Sequence, residues 1–214
     1  MTDLQIAAAA HCPLTADLSR HITSLVHMTG PESYDYIFGT DGILEPFLKE
    51  AWVRDGNLYS RDAATVAWDR EGIAGIEIGY AGHEFYQRRT VLDAVSIALL
   101  ESGATSRDTL SAIVARAERA SYLNAHVPDD VYYLMVLAVP TSRRGRGTGK
   151  RLLSNAIDNA RKQGFRALHL DVLSNNPAIG LYRAMGLDCA AEIIAPGPCR
   201  EHGVPMEMRM TIDF

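Results

Sequence analysis

The run VYYLMVLAV, Val131 to Val139, constrains the fold more than any other segment. Its residues are β-branched, aromatic or aliphatic with no polar alternation, the pattern of a central strand covered on both faces. A basic, glycine-rich loop follows at once. Beyond it Leu152, Leu153, Ala156, Ile157 and Ala160 mark one face of a helix that Gly164 can end, and ALHLDV reads as the next strand. A strand, loop, helix, strand unit of this kind calls for helices layered on a sheet.

The rest of the chain supplies further elements. Leu4 to Ala8 is a short strand candidate, and Leu18, Ile22, Leu25 and Val26 fall at helical spacing behind a threonine cap at Thr15. A second helix is predicted from about Gly42 to Val53. ATVAWDREGIAGIEIGYAG reads as a hairpin turning at Asp69 to Gly72. From Glu84 to about His126 the pattern is helical, with Gly103 dividing it into two helices. The last third adds a short helix near Pro177 to Met185, then strands near Cys189 to Ala195 and Pro205 to Ile212, with APGPCREHG expected as a turn between them.

Composition sets the class. A chain of 214 residues, 47% hydrophobic and 22% charged, can bury one substantial core. A formal net charge of -5 argues against a nucleic-acid binder, so the basic loop is a local feature. No apolar run is long enough for a membrane span, and the start MTDLQIAAAAHCPL has no basic leader, so the expectation is a cytoplasmic protein without membrane association. Cys12, Cys189 and Cys199 are an odd, irregularly spaced set that suits reduced thiols.

What does the loop hold? A glycine turn between strand and helix presents successive N–H groups and the positive end of a helix dipole, an anion site suited to phosphate. Gly145, Gly147 and Gly149 remove Cβ atoms where a ligand touches backbone, while Arg144, Arg146 and Lys150 offer charged contacts. A solvated basic turn would look similar in isolation, so the flanking sequence decides. The spacing fits neither a P-loop, since Arg151 stands where Ser or Thr should follow Lys150, nor a dinucleotide G-x-G-x-x-G turn.

The segment LAVPTSRRGRGTGKRLL, followed by NNPAIGLYRAMGL, resembles the two signature blocks of the GNAT superfamily, the acetyl-CoA-dependent N-acetyltransferases. Arg144-Gly145-Arg146-Gly147-Thr148-Gly149 matches the first block. Asn175, Ala178, Leu181, Tyr182 and Gly186 match the second, with Leu187 in place of Phe. The resemblance implies one α+β domain over 1–214 with a three-layer α/β/α arrangement and a mixed, mostly antiparallel sheet. Its coenzyme-binding core would run from about 131 to 187, with a helical insertion at about 84–126. It further implies that the loop amides bind the pyrophosphate of acetyl-CoA and that Leu137, Ala138 and Val139 line the pantetheine arm between two diverging strands. Asn175 would contact the arm or the adenosine side, although SNNPA also suits a turn or cap. Tyr182 resembles the family's general acid, and a main-chain amide near Leu137 its oxyanion donor.

The base carries no such signal. Where some members have a glutamate, this chain has Tyr133, so Glu77, His126, Asp129 and Asp130 all stay open as groups that deprotonate the ammonium. Cys189 has no activating partner, and Cys199 with His202 falls short of a metal site, so no metal is expected. The insertion would wall the acceptor pocket, form a homodimer contact or cover the sheet, and its apolar face is explained by packing alone. The reading is acetyl transfer to a primary amine of a small molecule or peptide. A non-catalytic acyl-CoA sensor is the alternative.

Overall fold

The computed structural model describes residues 4–123 and 125–214. Among these, seven strands form one sheet: β1 (Gln5–Ala8), β2 (Ala64–Asp69), β3 (Gly72–Ala81), β4 (Val131–Ala138), β5 (Ala167–Leu173), β6 (Asp188–Ile193) and β7 (Glu207–Asp213). Their order is β1-β2-β3-β4-β5-β7-β6, and only β4 with β5 is parallel. The α+β class and the mixed, mostly antiparallel sheet are as the resemblance implies.

Helices cover both faces. α1 (Thr15–His27), α3 (Leu44–Val53) and α4 (Phe85–Glu101) bring Leu18, Ile22, Leu48 and Val95 onto Ile76, Ile78, Tyr133 and Val136. On the opposite face α6 (Thr148–Lys162) sets Leu153, Ala156 and Ile157 on Leu134, Leu168 and Leu170. Strand alternation sorts β4 between these two cores, which is why it shows no polar residue on either side. α5 (Arg107–Ala120) is capped by Ser106, whose Oγ accepts the Thr109 N–H at 3.1 Å, after a stop at Gly103 with φ +72°.

The pairing of β4 with β5 is short. It runs from Val131↔Ala167 to Leu134↔Leu170 and ends there, although both strands continue, to Ala138 and Leu173. At the same point the β3–β4 register jumps: Ile78 faces Val136 and Gly79 faces Leu134, leaving Met135 as an extra residue on β4. A bulge bends a strand and increases its twist. A wedge therefore opens between β4 and β5, as the resemblance implies.

Three local expectations need correction. Thr15 does not cap α1; it is the first helical residue, and Leu14 precedes it with no side-chain cap, its carbonyl accepting the Leu18 N–H at 2.9 Å. APGPCREHG is not a turn but α8 (Pro196–His202), because prolines are tolerated in a first turn whose N–H groups have no acceptor, and Gly203 at φ +68° ends it. α2 (Pro31–Phe38) was not expected at all; it is anchored from α5, where Arg116 Nε donates to the Ile37 carbonyl at 2.8 Å. The last short helix is α7 (Ile179–Ala184).

Candidate active site

The glycine loop is built as an anion cradle. Arg144 N–H donates to Thr141 O, and the next main-chain bond of the turn among the described residues is Arg151 N–H to Gly147 O. Amides 145 to 150 have no acceptor among the described residues, and they cluster at the N-terminus of α6. Gly145 (φ +76°) and Gly147 (φ +81°) sit in the left-handed region, where a side chain is strained. At Gly149 a Cβ would make only ordinary contacts, 3.4 Å from Leu181 and 3.6 Å from Val139, so neither strain nor collision demands glycine there.

The basic side chains divide into two groups. Arg143 is buried and bonds Asp69 at 2.6 Å and Glu71 at 2.7 Å, which ties the loop to the β2–β3 turn. Arg146 pairs with Glu71 at 2.8 Å and Arg151 donates to Leu4 O at 2.9 Å. Arg144 and Lys150 border the adjoining groove. Arg146, named from sequence as a phosphate contact, does not.

Two cavities meet at the wedge. The first, about 540 Å³, is bordered by Leu137, Ala138 and Val139 of β4 and its extension, by Arg144, Gly145, Gly147, Thr148, Gly149 and Lys150, and by Asn175. The residues named from sequence for the coenzyme and for the general acid, Tyr182 included, are therefore gathered on it except Arg146. Asn175 Nδ2 donates to Glu32 Oε1 at 2.6 Å, joining the walls of the groove, and the turn role falls to Asn176, whose Oδ1 accepts the Ala178 N–H at 2.9 Å.

The second cavity, about 820 Å³, lies on the α4 and α5 side. Thr29, Gly30, Leu137, Leu173, Asn176 and Tyr182 border both. Tyr182 is 6% exposed, and burial pushes its phenol up to about 12 with no hydrogen bond contributing. A proton-bearing phenol thus stands where the cavities join.

The second cavity is rich in carboxylates. Asp93 of α4, Glu118 of α5, Asp171 of β5 and Glu207 of β7 border it, against Arg89. Asp171 is fully engaged: Arg209 Nε bonds Oδ1, Arg209 Nη2 donates to Oδ2 at 2.7 Å, and Tyr133 O–H donates to Oδ2 at 2.8 Å. The same Arg209 holds the His126 and Ala125 carbonyls at 2.9 and 3.0 Å. Glu207 is different. Its Oε2 is buried with no hydrogen-bond partner, and burial first, then the Asp171 charge, pushes its carboxyl up to about 8.

None of the four base candidates taken from sequence borders either cavity. Glu77 is 1% exposed on the α6 side of β3, where Tyr132 O–H donates to it at 2.6 Å and burial pushes it up to about 7. Asp130 is exposed and pairs with Arg166 at 2.9 Å; Asp129 is exposed; His126 is exposed and stacks on Tyr86. The acidic groups that do face the cavity were missed. Their signal was the alternation of Asp171 in ALHLDV and of Glu207 and Arg209 in EMRMTID, which marks one polar face on otherwise apolar strands. His202 packs on Tyr36 with ring centroids 4.8 Å apart, and no group of three or more His, Cys, Asp or Glu suited to a metal ion occurs among the described residues.

The site thus combines a glycine loop, a wedge between parallel strands and a buried phenol where the two cavities join. The family model for the acetyltransferase (GNAT) family matches residues 79–187, and the chain belongs to that family. An N-acetyltransferase from Staphylococcus aureus Mu50 shares the fold, with a TM-score of 0.69 over 97% of this chain and 100% of that one at 16% identity. An uncharacterised protein of Mycobacterium leprae (strain TN) is 41% identical over 64 residues, 29% of this chain and 17% of that protein. The L-2,4-diaminobutyric acid acetyltransferase of Nocardia farcinica (strain IFM 10152) is 34% identical over 73 residues, 34% of this chain and 37% of that enzyme. The matches thus span well under two thirds of either curated relative.

Proposed function

We propose that the protein moves an acetyl group from acetyl-CoA to a primary amine by direct attack, with Tyr182 as general acid. The observation that carries this reading is the meeting of the two cavities at Leu137 and Tyr182. The first has the parts a coenzyme needs: free amides and Arg144 and Lys150 for phosphate, and an unpaired β4 edge for the amide-bearing arm. The second receives the acceptor. Tyr182 holds its proton at neutral pH and can deliver it to the sulfur as the C–S bond breaks.

The acceptor is read as cationic. Acidic groups outnumber cations on its cavity; with Asp171 paired to Arg209 and Glu207 holding its proton at neutral pH, Asp93 and Glu118 against Arg89 leave a negative field that draws in an ammonium. The name of the Nocardia relative specifies a diamino acid, which agrees in charge. α4 and α5 supply part of this wall through Asp93 and Glu118, so the insertion shapes the acceptor site as well as covering the sheet. The test is a panel of primary amines with acetyl-CoA, followed by free thiol release. Thiol release dependent on the amine is the expected result. Coenzyme binding by calorimetry without release for any amine would favour an acyl-CoA sensor.

A further inference from the structure

We propose that Glu207 is the ligand of the acceptor's ammonium group and the base that takes its proton, an inference that rests on the acetyl-transfer reading above. The argument starts from an unmet need. A buried polar atom without a partner is rare and calls for an explanation, and the Oε2 of Glu207 is such an atom, in a half-buried residue that borders a cavity. An ammonium group has the donors to satisfy it.

Position supports the same conclusion. Glu207 lies opposite Leu173 in the β5–β7 register, and Leu173 borders both cavities. The carboxylate therefore stands beside the junction where Tyr182 faces the wedge. The other acids of the cavity are less suited to the task. Asp171 has both oxygens occupied by Arg209 and Tyr133, while Asp93 and Glu118 are exposed on α4 and α5.

The charged and titratable groups around Glu207 set its behaviour. Asp171 on β5 raises its affinity for a proton, and Arg209 on β7 lowers it. Tyr133 on β4 and Tyr182 on α7 are phenols pushed up by burial and stay neutral, and Arg89, Asp93 and Glu118 lie on the helical wall. With its carboxyl at about 8, Glu207 is poised near working pH, where a general base is most effective.

The steps balance as follows. Glu207 carboxylate takes one proton from the ammonium, and the freed nitrogen lone pair bonds to the thioester carbonyl carbon. The C–S bond breaks, Tyr182 gives its proton to the sulfur, and the surplus proton on nitrogen returns to Tyr182 through water. Glu207 then releases its proton to solvent, so the net products are the amide, the free thiol and one proton.

The test compares the wild type with Glu207→Gln and Glu207→Asp, using the amine that gives the fastest thiol release. For Glu207→Gln, kcat/KM is expected to fall roughly 10²-fold or more at neutral pH, with acetyl-CoA affinity unchanged by calorimetry. The wild-type kcat/KM should rise with pH and level off above about 8, a break retained by Glu207→Asp and absent from Glu207→Gln, whose residual rate follows deprotonation of the amine itself. Unchanged kcat/KM with an unchanged pH profile in Glu207→Gln would overturn the proposal. If no amine releases thiol, the acetyl-transfer reading falls, and Glu207 is judged by carboxyl ¹³C NMR of the wild type titrated with n-butylamine. A drop in its titration midpoint on adding the amine supports the ammonium site, and an invariant midpoint refutes it.

Discussion

Tyr182 and the carboxyl groups of the second cavity are individual residues whose surroundings decide their roles. The phenol is buried, free of internal partners and raised to about 12, so it stays protonated across any practical assay range. Replacing Tyr182 by Phe keeps the ring and removes the donor. The catalytic constant should drop roughly 10²-fold in steady-state kinetics while direct binding of acetyl-CoA is retained. Tyr182 was legible because a motif contains it. Glu207 was not, because its importance lies in two things absent from local sequence: the register that sets it beside Leu173, and the orphaned oxygen that only packing creates. Glu77 shows the reverse error. It is an acid near the right strand, but alternation turns it under α6 and away from both cavities.

At the scale of elements, the loop before α6 was readable because its conformation demands particular residues. Gly147 has a left-handed backbone and open space around a notional Cβ, so strain and not collision opposes a side chain. Gly147→Ala should destabilise the fold by about 1–2 kcal/mol in denaturant titrations. Gly147→Glu should abolish coenzyme binding by calorimetry, since it sets a negative charge in the loop proposed to hold phosphate. α2 and α8 were harder to read. PESYDYIF mixes aromatic and polar residues with no clear period, and α2 owes its place to a contact from α5, far along the chain. APGPCREHG carries turn residues that also suit a short proline-started helix. α5 has a functional consequence: Glu118→Lys should raise KM for a cationic amine about fivefold with little change in kcat, the effect of about 1 kcal/mol from an exposed charge.

At the scale of the whole molecule, buried acids couple stability to pH. Glu77 is raised from 4.5 to about 7 by burial, so the folded state holds its proton more tightly than the unfolded chain does. Its contribution is fully present below about pH 4.5 and is lost as pH climbs to about 7. Glu77→Gln removes that loss, and its stability advantage over the wild type should grow to as much as ~3 kcal/mol between those limits. Chemical denaturation at both ends of the range checks it, and a gap independent of pH would contradict the assignment.

The early end of the β4–β5 ladder has a further consequence, one of linkage. Beyond Leu134 and Leu170 the sheet has a missing rung, and the amides of β4 on that side have no strand to donate to. Under the proposed function, an arm of coenzyme laid in the wedge would act as a surrogate strand, so that occupancy and folding become one equilibrium. Hydrogen exchange at residues 135–139 should slow when the wedge is filled, and at a hundredfold excess over Kd the unfolding free energy should rise by about 2.7 kcal/mol. The protein's resistance to unfolding is then a gauge of how much coenzyme surrounds it.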